Sequence, residues 1–166
     1  SGATYEEIAN NGGGIVSSVE SVQSATPKEL FDMAIPRLDR FISMGTTTIE
    51  AKSGYGLNTE SELKSLKVIS KLSEEHAIDI IPTFMGAHAF PIEYENKKDA
   101  YVDLVINEMI PEIEKQGIAK FIDVFCEEGY FDIDQSKRIL QAGISAGLKP
   151  RVHADEVYNF GASLMA

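Results

Sequence analysis

Apolar positions along the chain recur at two alternating periods, and each change of period separates a helical segment from a strand-like one. Leu30, Met33, Ala34, Leu38, Phe41 and Ile42 fall at helical spacing and stop at Gly45. The start of that helix is written upstream. Thr26 serves as N-cap, Pro27 fits the first helical position, and Glu29 stands three residues on as in a capping box. Pro36 is the point inside it where a kink is to be expected. Glu60 to His76 repeats the period through Leu63, Leu66, Ile69 and Leu72. A further helix is predicted from about Asp99 to Gln116, with a break at Pro111, and another from Asp134 to Ala146, stopped by Gly147. Ala3 to Asn10 has helical composition, and Gly161 to Ala166 reads as the opening of one more helix.

Between these lie short β-rich runs: Thr46 to Lys52, Asp79 to Met85, Phe121 to Cys126 and Arg151 to Ala154. Asp79 to Met85 is almost continuously apolar, as expected of a strand buried on both faces, and Gly86-Ala87-His88 ends it. Strands each preceded by a helix, about every 30 to 40 residues, define an α/β chain of βα units with a parallel sheet. No internal repeat, low-complexity stretch or linker divides the 166 residues.

Composition narrows the function. A chain that is 43% hydrophobic and 25% charged has a real core, and none of its apolar runs approaches the ~20 residues of a membrane span. A net charge of −11 repels phosphate backbones, so nucleic acid is an unfavourable partner. The single cysteine, Cys126, forms no internal disulfide or CxxC clip, which suits a cytoplasmic setting.

Residues with chemical potential gather just after the strand ends, the edge where α/β sheets and (β/α)8 barrels bind ligands. In His153-Ala154-Asp155-Glu156, a strand-end imidazole can ligate a metal. Glu156 shares its site only if the chain has already turned into a loop, because an odd separation otherwise sends it to the opposite face. The plain alternative for His153 is a hydrogen-bonded core histidine. His88, between Ala87 and Ala89, is equally a candidate site histidine or a satisfied strand-end one. Tyr55, between Gly54 and Gly56, is either an exposed phenol on a loop or a packed turn residue. Glu127 and Glu128 stand at the right edge for acid–base work, although paired carboxylates usually make a solvated turn. Cys126 beside them reads as a small buried hydrophobe, His76 as a helix-end residue, and Gly12-Gly13-Gly14 as a flexible loop.

Gly12-Gly13-Gly14-Ile15, Gly45-Thr46-Thr47-Thr48 running on to Lys52-Ser53-Gly54-Tyr55-Gly56, Thr83-Phe84-Met85-Gly86-Ala87-His88, and His153-Ala154-Asp155-Glu156 together resemble the imidazolonepropionase family of the amidohydrolase superfamily, in order and through almost the whole chain. The resemblance implies a metal-dependent (β/α)8 barrel with a small β-sandwich, hydrolysing the ring amide of 4-imidazolone-5-propanoate to N-formimidoyl-L-glutamate in histidine degradation. It implies His153 as a ligand of one zinc or iron ion, and Glu156 as the carboxylate that contacts substrate and handles the proton. His88 and Tyr55 correspond to substrate-binding residues, His88 on the ring carbonyl, where it would also stabilise the oxyanion.

A barrel needs ~250 residues, and the first-strand His-x-His pair, the propionate-binding arginine, a later histidine and the last-strand aspartate have no counterpart here. The chain is therefore expected to be the central part of such a barrel, inactive by itself, with a small-molecule substrate, no membrane or nucleic-acid partner, and a homodimer left open. Two other readings stand beside it: another cyclic-amide or deaminating amidohydrolase, and a non-catalytic flavodoxin-like binding domain.

Overall fold

The computed structural model describes residues 15–165. Helix α1 (Ile15–Ser24) leads into α2 (Pro27–Ser43), β1 (Thr48–Lys52), α3 (Thr59–Glu75) and β2 (Asp79–Ala87). A long helix, α4, then spans 98–116, followed by β3 (Phe121–Cys126), α5 (Ile133–Ser145) and β4 (Lys149–Ala154). The four strands are all parallel and stand side by side in chain order, β1-β2-β3-β4. The predicted Ala3–Asn10 helix and the glycine loop at 12–14 lie outside the described residues. Helix α1 is an element the apolar pattern did not predict; its terminal carbonyls at Val22 and Gln23, with that of Ala25, accept from Lys64 Nζ of α3.

Local chemistry accounts for the boundaries. The Thr26–Glu29 capping box forms in full, and α2 passes through Pro36 without interruption. Pro111 does not break α4 either. The turn just before it, Val105–Met109, widens to π geometry, which makes room for the proline ring against the preceding turn. Gly147, with φ of 80°, follows α5 as expected. Beyond β4 the anticipated helix is only a 3₁₀ turn over Ala162–Met165.

The helices pack on one face of the sheet. Ile49 and Ala51 of β1, Ile80 and Phe84 of β2, and Ile122 and Val124 of β3 join Leu66, Ile69, Val102, Ile113 and Ile139 in one apolar cluster. Strand alternation sends Glu50, Lys52, Thr83, Asp123, Arg151 and His153 to the opposite face. There Arg151 pairs with Glu50 at 2.8 Å, Thr83 donates to Glu50 at 2.5 Å, and Lys52 meets Asp123 at 2.5 Å. So β2 is buried on both faces, as its composition suggested, and on the second face Thr83, between Ile81 and Met85, joins a charged network whose members satisfy one another.

One irregularity decides where the site lies. Phe84 pairs with Ile122, but Ala87 pairs with Val124, so β2 spends one residue more than β3 over this stretch. Without that bulge, Ala87 would stand opposite Phe125 and His88 would turn toward the helices. With it, His88 shares a level with Phe125, which pairs with His153. The strand thus continues through Gly86 and Ala87 instead of ending there.

Candidate active site at the carboxyl ends of the strands

A cavity of about 240 Å³ opens at the carboxyl edge of the polar face, and Tyr55, His88, His153 and Glu156 all line it, with Lys52 and Phe125 beside them. The four residues singled out from sequence come from three separate strand ends and meet in one place. A larger cavity, about 960 Å³, lies elsewhere, in an open groove among α4, α5 and β4 where Arg138 is held by Asp103. It gathers no strand-end chemistry.

His153, the penultimate residue of β4, has its Nδ1 3.0 Å from Asp123 Oδ1. Because a carboxylate only accepts, Nδ1 carries the hydrogen, and in the neutral ring Nε2 keeps its lone pair. This is the orientation that a carboxylate imposes on a metal-ligating histidine. Asp123 is buried and held on its other oxygen by Lys52. Donor chemistry therefore fits His153 as one metal ligand. Among the described residues no group of three or more His, Cys, Asp or Glu could hold a metal ion, so further ligands would have to come from elsewhere.

The chain turns into a loop immediately after Ala154, which is the condition for Glu156 to reach the same side. Asp155 adopts φ of 53°, and its carboxylate accepts from the backbone N–H of Phe160, Ala162 and Ser163. Bonds from Ser163, side chain first and then backbone, and weaker ones from Ala162 and Phe160, hold Asp155 at about 2 against the opposing effect of desolvation. Asp155 is committed to its loop, whereas the Glu156 side chain is exposed at the cavity.

His88 donates from Nδ1 to the carbonyl of Gly54 at 2.9 Å, and Tyr55 packs edge-on against its ring with centroids 4.9 Å apart. Burial, the larger influence, pushes His88 below the ordinary imidazole value, against the Gly54 bond, which raises it. The resting ring is thus neutral near pH 7, with Nε2 an acceptor; only the imidazolium offers a second N–H. Followed by NMR, the His88 ring is expected to titrate with a midpoint below the ordinary ~6.5. Since the folded value is the depressed one, its contribution to stability is complete above ~6.5 and is lost as pH falls from there toward the folded midpoint. A midpoint at or above ~6.5 would mean that burial does not control the ring.

Gly54 explains why the Tyr55 loop approaches so closely: its φ is 97°, and a Cβ there would lie 2.6 Å from the Met85 carbonyl oxygen. The loop's N–H groups converge on one side chain. Glu62, fully buried in the first turn of α3, accepts from Gly54 at 2.8 Å and from Gly56 and Leu57 at 2.9 Å. The loop's carbonyls are answered in turn by His88 at Gly54 and Gln23 at Gly56, and the Tyr101 phenol, 2.8 Å from the Gly86 carbonyl, lies 3.3 Å from that of Leu57.

Glu127 and Glu128 separate. Glu128 is exposed, as in a solvated turn, but Glu127 is 1% exposed and accepts from the N–H of Glu156 at 2.8 Å and Val157 at 3.0 Å. Burial opposes its ionisation, and the backbone bonds outweigh it, leaving Glu127 below the usual glutamate value. It is thus neither a solvated carboxylate nor one open to substrate. Cys126 is buried with its thiol raised, first by burial and then by Asp132, Asp155 and Glu127, as suits an inert side chain. His76 caps the end of α3, where Nδ1 accepts from Ile78 N–H and Nε2 faces Asp39.

Sequence reasoning passed over Asp123, Lys52 and Glu62. The signal for Asp123 was a lone acid in the apolar run Phe121–Cys126, and for Lys52 the strict alternation of Thr-Ile-Glu-Ala-Lys. Glu62 gave none beyond an acidic first turn.

The fold and site together define an α/β protein with a sequentially ordered parallel sheet and a strand-end pocket of two imidazoles, a phenol and a carboxylate. In sequence the chain is a relative of the imidazolonepropionases. It is 56% identical over 166 residues to imidazolonepropionase of Brevibacillus brevis, covering 99% of this chain and 39% of that protein. The corresponding protein of Alkaliphilus metalliredigens is 50% identical over 165 residues, again 99% of this chain and 39% of the relative. That of Geobacillus kaustophilus is 48% identical over 165 residues with the same coverage. The chain thus spans about two fifths of the length of these relatives. No family model matches it. Among the described residues no helix is long and apolar enough to cross a membrane.

Proposed function

We propose that residues 1–166 are the central portion of a (β/α)8 barrel that hydrolyses the ring amide of 4-imidazolone-5-propanoate, giving N-formimidoyl-L-glutamate. The small β-sandwich and the other strands lie outside this chain. The observation that carries the reading is the meeting of Tyr55, His88, His153 and Glu156 in one strand-end cavity, in a chain 56% identical to an imidazolonepropionase. Strand order supports the barrel. A doubly wound sheet reverses direction at a switch point, whereas these four strands run β1-β2-β3-β4 with their helical core on one face.

In this reading His153 Nε2 is one of several ligands of a single zinc or iron ion, the others lying outside the chain. Such an ion makes water nucleophilic at neutral pH and polarises a carbonyl. Lys52 and Asp123 keep His153 in the ligating tautomer. Glu156 removes the proton from the attacking water and passes it to the ring nitrogen. The C–N bond breaks, hydroxyl stays on the carbonyl carbon, and the nitrogen leaves protonated. His88 meets the substrate through Nε2. The neutral ring accepts from a ring N–H, and donation to the developing oxyanion uses the imidazolium. Tyr55, packed edge-on against His88, contributes its hydroxyl to binding.

The test is kinetic, on the full-length protein. Tyr55→Phe is expected to raise KM about 3- to 10-fold with metal content unchanged, as for the loss of one neutral hydrogen bond. Unchanged kinetics would make Tyr55 a turn residue.

A further inference from the structure

Two buried glutamates outside the catalytic set hold the backbone of the two loops that carry its members. Glu62 is 0% exposed, and its carboxylate is spent on the N–H groups of Gly54, Gly56 and Leu57, which flank Tyr55. Glu127 is 1% exposed and spent on the N–H groups of Glu156 itself and Val157, with Glu128 N–H on its other oxygen at 3.1 Å. No cation pairs with either carboxylate among the described ion pairs; backbone dipoles carry the whole compensation, helped for Glu62 by the N-terminus of α3. A neutral side chain cannot do this. Glutamine has one acceptor oxygen, and its amide nitrogen would point its hydrogens at backbone hydrogens. Hydrophobic burial does not require either loop to be held this way. Both loops sit at the polar, open edge of the sheet, and the anchored residues include Glu156 and flank Tyr55, both of which line the cavity.

From this geometry we infer that Glu62 and Glu127 are separate positioning residues, Glu62 fixing Tyr55 for substrate binding and Glu127 fixing Glu156 for proton transfer. The inference rests on the roles proposed above for Tyr55 and Glu156, and it predicts a division of kinetic effects that a merely structural carboxylate would not produce. Charge-assisted hydrogen bonds are roughly twice as strong as neutral ones, so losing them frees a loop by a factor of about ten or more.

The experiment compares Glu62→Gln and Glu127→Gln in the full-length protein by hydrogen exchange and by steady-state kinetics. Glu127→Asp, which keeps the charge but shortens the reach, covers the case of poor folding. Glu127→Gln and Glu127→Asp should speed exchange at 156–157 about tenfold or more, leave the strands protected, and lower kcat about tenfold with KM within about twofold. Glu62→Gln should speed exchange at 54–57 and raise KM, with kcat within about twofold. Unchanged exchange at 156–157 in both Glu127 variants overturns the inference, as does faster exchange throughout the sheet or the same kinetic effect from both glutamates. If the unmutated protein does not turn over the imidazolone, the functional reading fails by itself, and the exchange data alone decide whether the loops are clamped.

Discussion

Replacing Glu156 with Gln in the full-length protein is expected to leave the metal in place and to lower kcat by ~10²-fold or more. The substitution keeps the size and hydrogen-bonding outline of the side chain but removes its ability to take a proton. Its backbone stays anchored, because the Glu127 carboxylate holds the N–H of residue 156 whatever the side chain. Metal analysis and steady-state kinetics on the same preparation make the check. Loss of metal would identify Glu156 as a ligand. Full kcat would move the proton to another group, and Asp155 is poorly suited, since Phe160, Ala162 and Ser163 already occupy its carboxylate.

His153→Ala should behave in the opposite way, with metal content and turnover falling together. Removing a direct ligand ought to weaken metal binding by more than the 10- to 100-fold typical of an outer partner. The contrast with Glu156→Gln lies in the order of effects, because the two residues are only three apart and line the same cavity. Retained metal with activity lost would make His153 a substrate-contacting residue. Its bond to Asp123 would then serve the ring's orientation alone.

The helices and strands were largely legible because their signals are local. Thr26, Pro27 and Glu29 specify the start of α2 within four residues, and the apolar run Phe121–Cys126 is β3 without adjustment. Prolines misled, since whether Pro111 breaks a helix depends on whether the turn before it can widen, and Val105–Met109 does so inside a packed core. Tyr55, His88, His153 and Glu156 were legible as strand-end residues. Their convergence was legible only through the family resemblance and not from the pattern itself, because His88 reaches the cavity through an extra residue in β2, hinted at by nothing but Gly86 within the run. The supporting acids were hidden for a related reason. Glu62 acts on Leu57 five positions away, and Asp123 and Glu127 act on His153 and Val157 30 positions away; no periodicity records a side chain that bonds to another loop's backbone or another strand's imidazole.

The most direct test of the central claim, that this strand-end site belongs to a ring-opening amide hydrolase, is mass spectrometry of the product formed by the metal-replete full-length protein in oxygen-18 water. The account predicts N-formimidoyl-L-glutamate carrying one heavy oxygen in the carboxylate derived from the ring carbonyl, with the label appearing far more slowly in Glu156→Gln. A product with its ring intact, or an unconsumed imidazolone, would contradict it.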